Sequence, residues 1–210
     1  NWVMDNFNHD PLGPHAMIDT AENVAAAHGF TTAEQHEIVL RREEQYRAAL
    51  ADDSAFLRRF MTLPFDVPSA NFRKVQETLA GDEGINTSTA DGLARLKPVK
   101  PGGTVTFGAQ THPADGNAAI LVATPERAAE LSSQPTIRVR LLGFGQARVP
   151  LARMPEATVP AARRALERAG LAIRDIDAFK THNPFALNDL VFSREMGVDV
   201  AKMNNYGSSL

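Results

Sequence analysis

Residues 176–197 read IDAFKTHNPFALNDLVFSREMG, and this stretch decides the fold. Ile176 to Thr181 reads as a strand. Pro184 to Met196 reads as a helix stopped by Gly197, with Phe185, Leu187, Leu190 and Val191 on its apolar side. Asn183 is placed to cap that helix, and Pro184 suits its first turn. His182 thus stands where a strand passes into a helix N-terminus, the place where open α/β sheets collect their ligands.

The alternation extends upstream. GGTVTFG, 102–108, reads as a strand after a Gly-rich turn, and Asn117 to Ala123 as a near-continuous apolar strand. Thr124 caps a helix with Pro125 at its first position, ending near Leu131. Ile137 to Leu142 is the next strand, and Pro160 to Ala169 a helix stopped by Gly170. Strand alternating with helix predicts an α/β layer with parallel pairing.

Residues 1 to about 100 have another texture. Thr20 caps a predicted helix from Ala21 to His28, with Gly29 at its stop. Thr31 and Glu34 form a capping box for a charged helix to about Ala51. Glu37–Arg41 and Glu43–Arg47 are i,i+4 pairs on it, while Ile38, Leu40, Tyr46 and Leu50 give an imperfect apolar side. A short helix is expected from Ser54 to Met61, before Pro64 and Pro68, and another from Thr89 to Leu96. Phe72 to Leu79 fits a helical spacing but is too short to decide by periodicity.

At 210 residues, with 43% hydrophobic and 22% charged, the chain can bury a core, and its composition argues against disorder. No apolar run is long enough to span a bilayer, and the basic cluster of a signal peptide is missing from NWVMDNFNHD. A net charge of −3 argues against nucleic acid as the main partner. Arg41, Arg42, Arg58, Arg59, Arg73 and Lys74 can meet an anionic small molecule, although a solvated helix face is the simpler reading of any one of them. There is no cysteine, which excludes disulfides, thiolate–zinc sites and cysteine nucleophiles within these residues.

Other chemistry finds little support. His9, His15, His28, His36, His112 and His182 show no helical i,i+3 or i,i+4 pairing, so no metal site is expected. GFGQAR, 143–148, begins like a phosphate-binding G-x-G-x-x-G, but Arg148 takes the place of the third glycine and Pro150 interrupts any immediate helix. No Walker loop and no G-x-S-x-G elbow occurs. Asp115–Gly116 reads as a turn before a strand. His182 alone is open to two readings, a ligand-facing imidazole or a structural group bonded to a nearby carbonyl.

Several segments, in order, resemble the thiolase family. MIDTAENVAAAHGFTTAEQHEIVLRREEQYRAA (17–49) resembles the stretch where a methionine precedes T-A-E-N and a helix begins S-x-E-E-Q. ADGLARLKPV (90–99) and GGTVTFGAQTHPADGNAAILVA (102–123) are similar to L-x-x-L-K-P and G-T-V-T-A-G-N-A-S-x-x-x-D-G-A-A-A. VPAARRALERAGLAIRDIDAFKTHNPFA (159–186) resembles the approach to N-E-A-F-A, and MNNYGSSL (203–210) the start of V-N-x-N-G-G.

The resemblance implies a duplicated five-layered α/β/α/β/α fold, here incomplete, with a largely helical loop-domain insertion that helps hold coenzyme A. Residues 1–100 would correspond to that insertion, 101–134 to the end of the first core domain, and 135–210 to the beginning of the second. The implied function is that of an acyltransferase acting on acyl-CoA thioesters, by carbon–carbon condensation or thiolytic cleavage. Met17 falls on the methionine lining the acyl pocket, and Thr111 on the serine near the pantetheine arm. His182 falls on the asparagine of N-E-A-F, in the oxyanion site, and Phe185 on its phenylalanine. HNPF resembles most the sterol-carrier-type subgroup, where the motif reads H-D-C-F.

The departures are chemical. Both family cysteines are missing, and the G-H-P segment would follow Leu210. The amino-terminal part bearing the nucleophile would precede Asn1. Ala109, His112 and Pro184 replace Asn, Gly and Ala of the family pattern. These 210 residues alone are therefore expected to be inactive, and prone to associate through uncovered sheet edges. The alternative expectation is a non-catalytic thiolase-derived subunit or scaffold pairing with an active partner. The expected partners are acyl-CoA as substrate and a homodimer, homotetramer or companion thiolase chain, in the cytoplasm. No covalent cofactor, nucleic acid or membrane is expected.

Overall fold

In chain order the elements are α1 (Trp2–Asn8), α2 (Met17–His28), α3 (Thr32–Ser54), β1 (Phe65–Pro68), β2 (Val75–Leu79), α4 (Ala90–Ala94), α5 (Pro125–Leu131), α6 (Thr158–Ala169) and α7 (Ala186–Met196). They come from a computed structural model that describes residues 2–111, 116, 118–134 and 136–210. His112, Asp115 and Asn117, which carry part of the expected turn and strand, lie outside the described residues.

The caps follow local chemistry. The Thr31 hydroxyl accepts the Glu34 N–H, and Glu34 accepts the Thr31 N–H at 2.7 Å, completing the expected box. Thr89 and Thr124 accept the N–H groups of Gly92 and Arg127. Gly29, Gly170 and Gly197 take the left-handed conformation that ends α2, α6 and α7. Helical geometry in α3 stops at Ala51, where ψ becomes 157° and Asp52 and Asp53 turn left-handed.

Several boundaries differ from expectation. α2 begins at Met17, with Ala16 as cap and the Asp19 carboxylate on the Ala16 N–H at 2.8 Å. Thr20 is therefore inside the helix, where its hydroxyl accepts the Met154 N–H at 2.7 Å. α7 begins at Ala186, not Pro184, because Phe185 occupies the cap position and the Asn188 side chain accepts its N–H. Residues 54–61 hold only a 3-10 turn at Leu57–Arg59. The ambiguous 72–79 segment yields β2, paired antiparallel with β1 in the register Phe65↔Leu79 and Val67↔Glu77.

α7 is the central element, and its residues are buried on nearly every side, as a helix enclosed by other helices must be. It packs on α2, α3, α6 and the turn at Met154–Ala157. One apolar cluster joins Val24 of α2, Val105, Val159 of α6, and Leu187, Val191 and Phe192 of α7. A second joins Ile38 and Val39 of α3 to Leu93, Ala109 and Ala186.

The expected parallel sheet is present only in outline. Among the described residues the only ladder is β1–β2. Phe179 makes a single parallel bridge to Met203, and Pro98 an antiparallel one to Thr106. Residues 118–123 and 137–142 are assigned no strand, and Ile120 and Val139 are 90% and 94% exposed. An apolar run becomes a strand only when a neighbour supplies the matching N–H and C=O groups.

Candidate functional site

Thr181, Asn183, Asp189 and Asn204 converge because their three segments meet at the start of α7. Asp189, one turn into that helix, is fully buried and is the hub. Its Oδ1 accepts the Thr181 hydroxyl at 2.7 Å, and its Oδ2 accepts the Asn183 side-chain N–H at 2.7 Å. The Asn204 amide donates to both oxygens at 3.2 and 3.3 Å, and also to Thr181 Oγ1 at 2.7 Å.

The counter-ion comes from α3. Arg42 Nε donates to Asp189 Oδ2 at 2.9 Å, and its Nη2 lies 2.9 Å from the same oxygen, with neither side chain exposed. Its Nη1 donates to the Met203 and Val200 carbonyls and to Gln45 Oε1 at 2.6 Å. Oδ2 thus faces the guanidinium while Oδ1 is held by the neutral donors Thr181 and Asn204, so the buried carboxylate is both paired and hydrogen-bonded.

This corrects two expectations. Arg42 does not belong to a solvated face, and Asn183 does not cap α7. The sequence signal for Arg42 was its spacing: Gln35, Ile38, Arg42 and Ala49 share the inward stripe, whereas Leu50 is exposed. Arg41 pairs with Glu44 rather than Glu37, while the expected Glu43–Arg47 pair forms at 2.9 Å.

Thr111 and Phe185, distant in sequence, are brought together. The Thr111 N–H donates to the Pro184 carbonyl at 2.8 Å, and Gln110 bridges to Phe185. Phe185 belongs to the first apolar cluster, and half-buried Met17 packs against that cluster from the start of α2. His182 stands exposed at the same turn. The four residues singled out from sequence thus lie on segments that share this core. Two open hollows, of about 390 and 300 Å³, are lined instead by residues such as Leu166 and Met196, and Phe179 and Val198.

The linking motifs have a physical basis. Both Glu22 carboxylate oxygens, on α2, accept the Thr104 N–H, at 2.9 and 3.0 Å, which joins TAEN to GGTVT. His36 reaches the Thr106 hydroxyl at 2.8 Å, and burial pushes its pKa below the ordinary imidazole value. Glu156 takes hydrogen bonds from Arg153 and His28, which hold its carboxyl below the usual range. The GFG segment lies on α6: a Cβ at Gly143 would sit 2.9 Å from the Ala165 carbonyl, so its glycines serve close packing. Among the described residues, no group of three His, Asp or Glu side chains is placed to hold a metal, and no helix is long and apolar enough to cross a membrane.

Residues 3–126 match the model of the thiolase N-terminal domain, and residues 135–210 that of the thiolase C-terminal domain. The chain belongs to the thiolase family. It is 33% identical over 205 residues to the beta-ketothiolase BktB of Cupriavidus necator, covering 96% of this chain and 50% of that protein. It is 34% identical to the acetyl-CoA acetyltransferase of Escherichia coli, covering 94% and 48%. The acetyl-CoA acetyltransferase of Bacillus anthracis superposes with a TM-score of 0.85 at 28% identity, over 99% of this chain and 51% of that one. Human mitochondrial 3-ketoacyl-CoA thiolase gives 0.75 at 26%, over 93% and 48%. The thiolase fold is therefore established, although this chain spans about half the length of the thiolases it matches.

Proposed function

We propose that the chain forms the acyl- and pantetheine-binding part of a thiolase that makes or breaks a carbon–carbon bond between acyl groups carried on coenzyme A. The observation that carries the reading is the 2.8 Å bond from the Thr111 N–H to the Pro184 carbonyl. It sets the proposed pantetheine-side residue against the turn that bears His182 and Phe185. An exposed imidazole there is free to donate an N–H to a thioester oxygen as charge develops on it, an effect worth about 3 kcal/mol for a preorganised donor. Met17 and Phe185 supply apolar surface for the acyl chain, and the segment spanning residues 1–100 holds the coenzyme.

The sulfur nucleophile would come from outside these residues, none of which is a cysteine. His182 in place of asparagine supports a position near the sterol-carrier-type thiolases. Assembly as a homodimer or homotetramer, or with a companion thiolase chain, in the cytoplasm, belongs to the same proposal.

Calorimetric titration with acetoacetyl-CoA tests it. Saturable binding is expected, weakened on the order of tenfold in His182→Ala with an unchanged melting temperature. No saturable binding by the wild-type chain would sink the proposal. The absence of cysteine favours a second reading, a non-catalytic thiolase-derived subunit. Protein purified from its native source separates the two: thiolytic turnover of a 3-ketoacyl-CoA supports the enzyme, and binding without turnover supports the subunit.

A further inference from the structure

His182 is flanked by two residues whose side chains go to the same buried acceptor. Thr181 and Asn183 donate to Oδ1 and Oδ2 of Asp189, each at 2.7 Å. Successive side chains along an extended backbone point to opposite faces. With residues 181 and 183 tied inward, the side chain between them is turned outward. The burial agrees: Asn183 is 0% exposed, whereas His182 lies open.

The tie needs an ionised carboxylate, because a protonated one would lose acceptor capacity. Arg42 provides for that from α3, with Nε and Nη2 both 2.9 Å from Oδ2. The Thr181 N–H is held as well, by Asn204 Oδ1 at 2.9 Å, and Asn204 itself donates to Asp189. The Asn183 side chain also meets Ser208 and Ser209, at 3.1 Å in each case. The backbone on either side of the imidazole is therefore fixed by one hub, whose charge is balanced by a helix far away in sequence. A buried ion pair adds little net stability over apolar residues of equal volume, whereas its directional bonds fix a geometry.

We infer that Arg42 and Asp189 are positioning residues for His182, fixing the 181–183 backbone and so the face to which the imidazole is presented. The inference rests on the proposed role of His182 at a thioester oxygen. Its geometric content can be measured without that role.

The test uses the full chain and the double variant Arg42→Met/Asp189→Leu, which removes both charges and leaves neither stranded. Two quantities are read: the amide order parameters of residues 181–183 and the affinity for acetoacetyl-CoA. The order parameters are expected to fall from about 0.85 to below about 0.6, while those of α6 do not change. Affinity should drop about tenfold or more, since misplacing a contact group by an ångström costs up to about a hundredfold. Arg42→Lys, which keeps the charge, should restore most of the order and the affinity.

A folded double variant with a rigid 181–183 segment would overturn the inference. If that variant does not fold, Asp189→Asn, of nearly the same volume, supplies the same two readings, and a rigid segment there overturns the inference equally. A wild-type chain that does not bind acetoacetyl-CoA would overturn the proposed function instead, and the order parameters would still decide the positioning role.

Discussion

Glu22 accepts the backbone N–H of Val105 at 2.9 Å, the last of three such bonds that draw the 102–106 segment onto α2. Two thiolase sequence motifs thus meet through one carboxylate. Charge-assisted bonds of this kind are stronger than neutral ones, and their loss leaves buried N–H groups without a partner. Glu22→Gln keeps the volume and removes the charge. It should destabilise the chain by about 1–3 kcal/mol, read from urea unfolding, with faster amide exchange at Thr104 and Val105.

Gly145→Ala should loosen the 143–146 segment from α6. The added Cβ would lie 2.8 Å from the Ala165 backbone nitrogen and closer still to the Ala161 carbonyl, so backbone must move. A cost of about 1–3 kcal/mol is expected. The Arg168 guanidinium, now 4.7 Å from the Phe144 ring centroid, should lose that contact. Thermal unfolding and a crystal structure of the variant check both points.

His36 should give stability a pH dependence on the acid side of neutral. Burial lowers its pKa from the ordinary 6.5, so between the folded and unfolded values only the unfolded chain binds the proton. Its contribution is complete above about 6.5 and is lost as pH falls through the folded value. His36→Gln should flatten that part of the unfolding profile. Below about pH 4.5 the fall due to Asp19, Glu34 and Glu156 should persist, since all three carboxyls are held below their ordinary values.

Leu187→Ala tests the central place of α7. Leu187 is wholly buried in the first cluster, and its truncation leaves a cavity among neighbours on several elements. A loss of about 2–5 kcal/mol is expected. A change below about 1 kcal/mol, the range of surface substitutions, would contradict the described core.

The helices were legible because their signals are local. Gly29, Gly170 and Gly197 end their helices as expected, and Thr31, Thr89 and Thr124 cap theirs. The segments around Ile120 and Val139 were not, since a ladder depends on groups distant in sequence. β1 was missed because Pro64 and Pro68 suppress the strand signal, and β2 stayed undecided because 72–79 is too short for its periodicity to tell strand from helix. At the site, the motif match singled out His182 and Thr111, but not the Asp189 hub. Nothing local distinguishes Asp189 from a solvated helical aspartate until Arg42 is seen on the inward stripe of another helix.

Arg42 precedes Asp189 by 147 residues. During synthesis it emerges from the ribosome long before its counter-ion has been translated. Until then its guanidinium cannot enter an apolar cleft without a large desolvation penalty. α3 can form early as an isolated helix, yet its docking waits for Asp189 and for the carbonyls of Val200 and Met203. The order of translation therefore makes seating this arginine a late event, and a nascent chain stopped before Asp189 would keep that side of α3 in water.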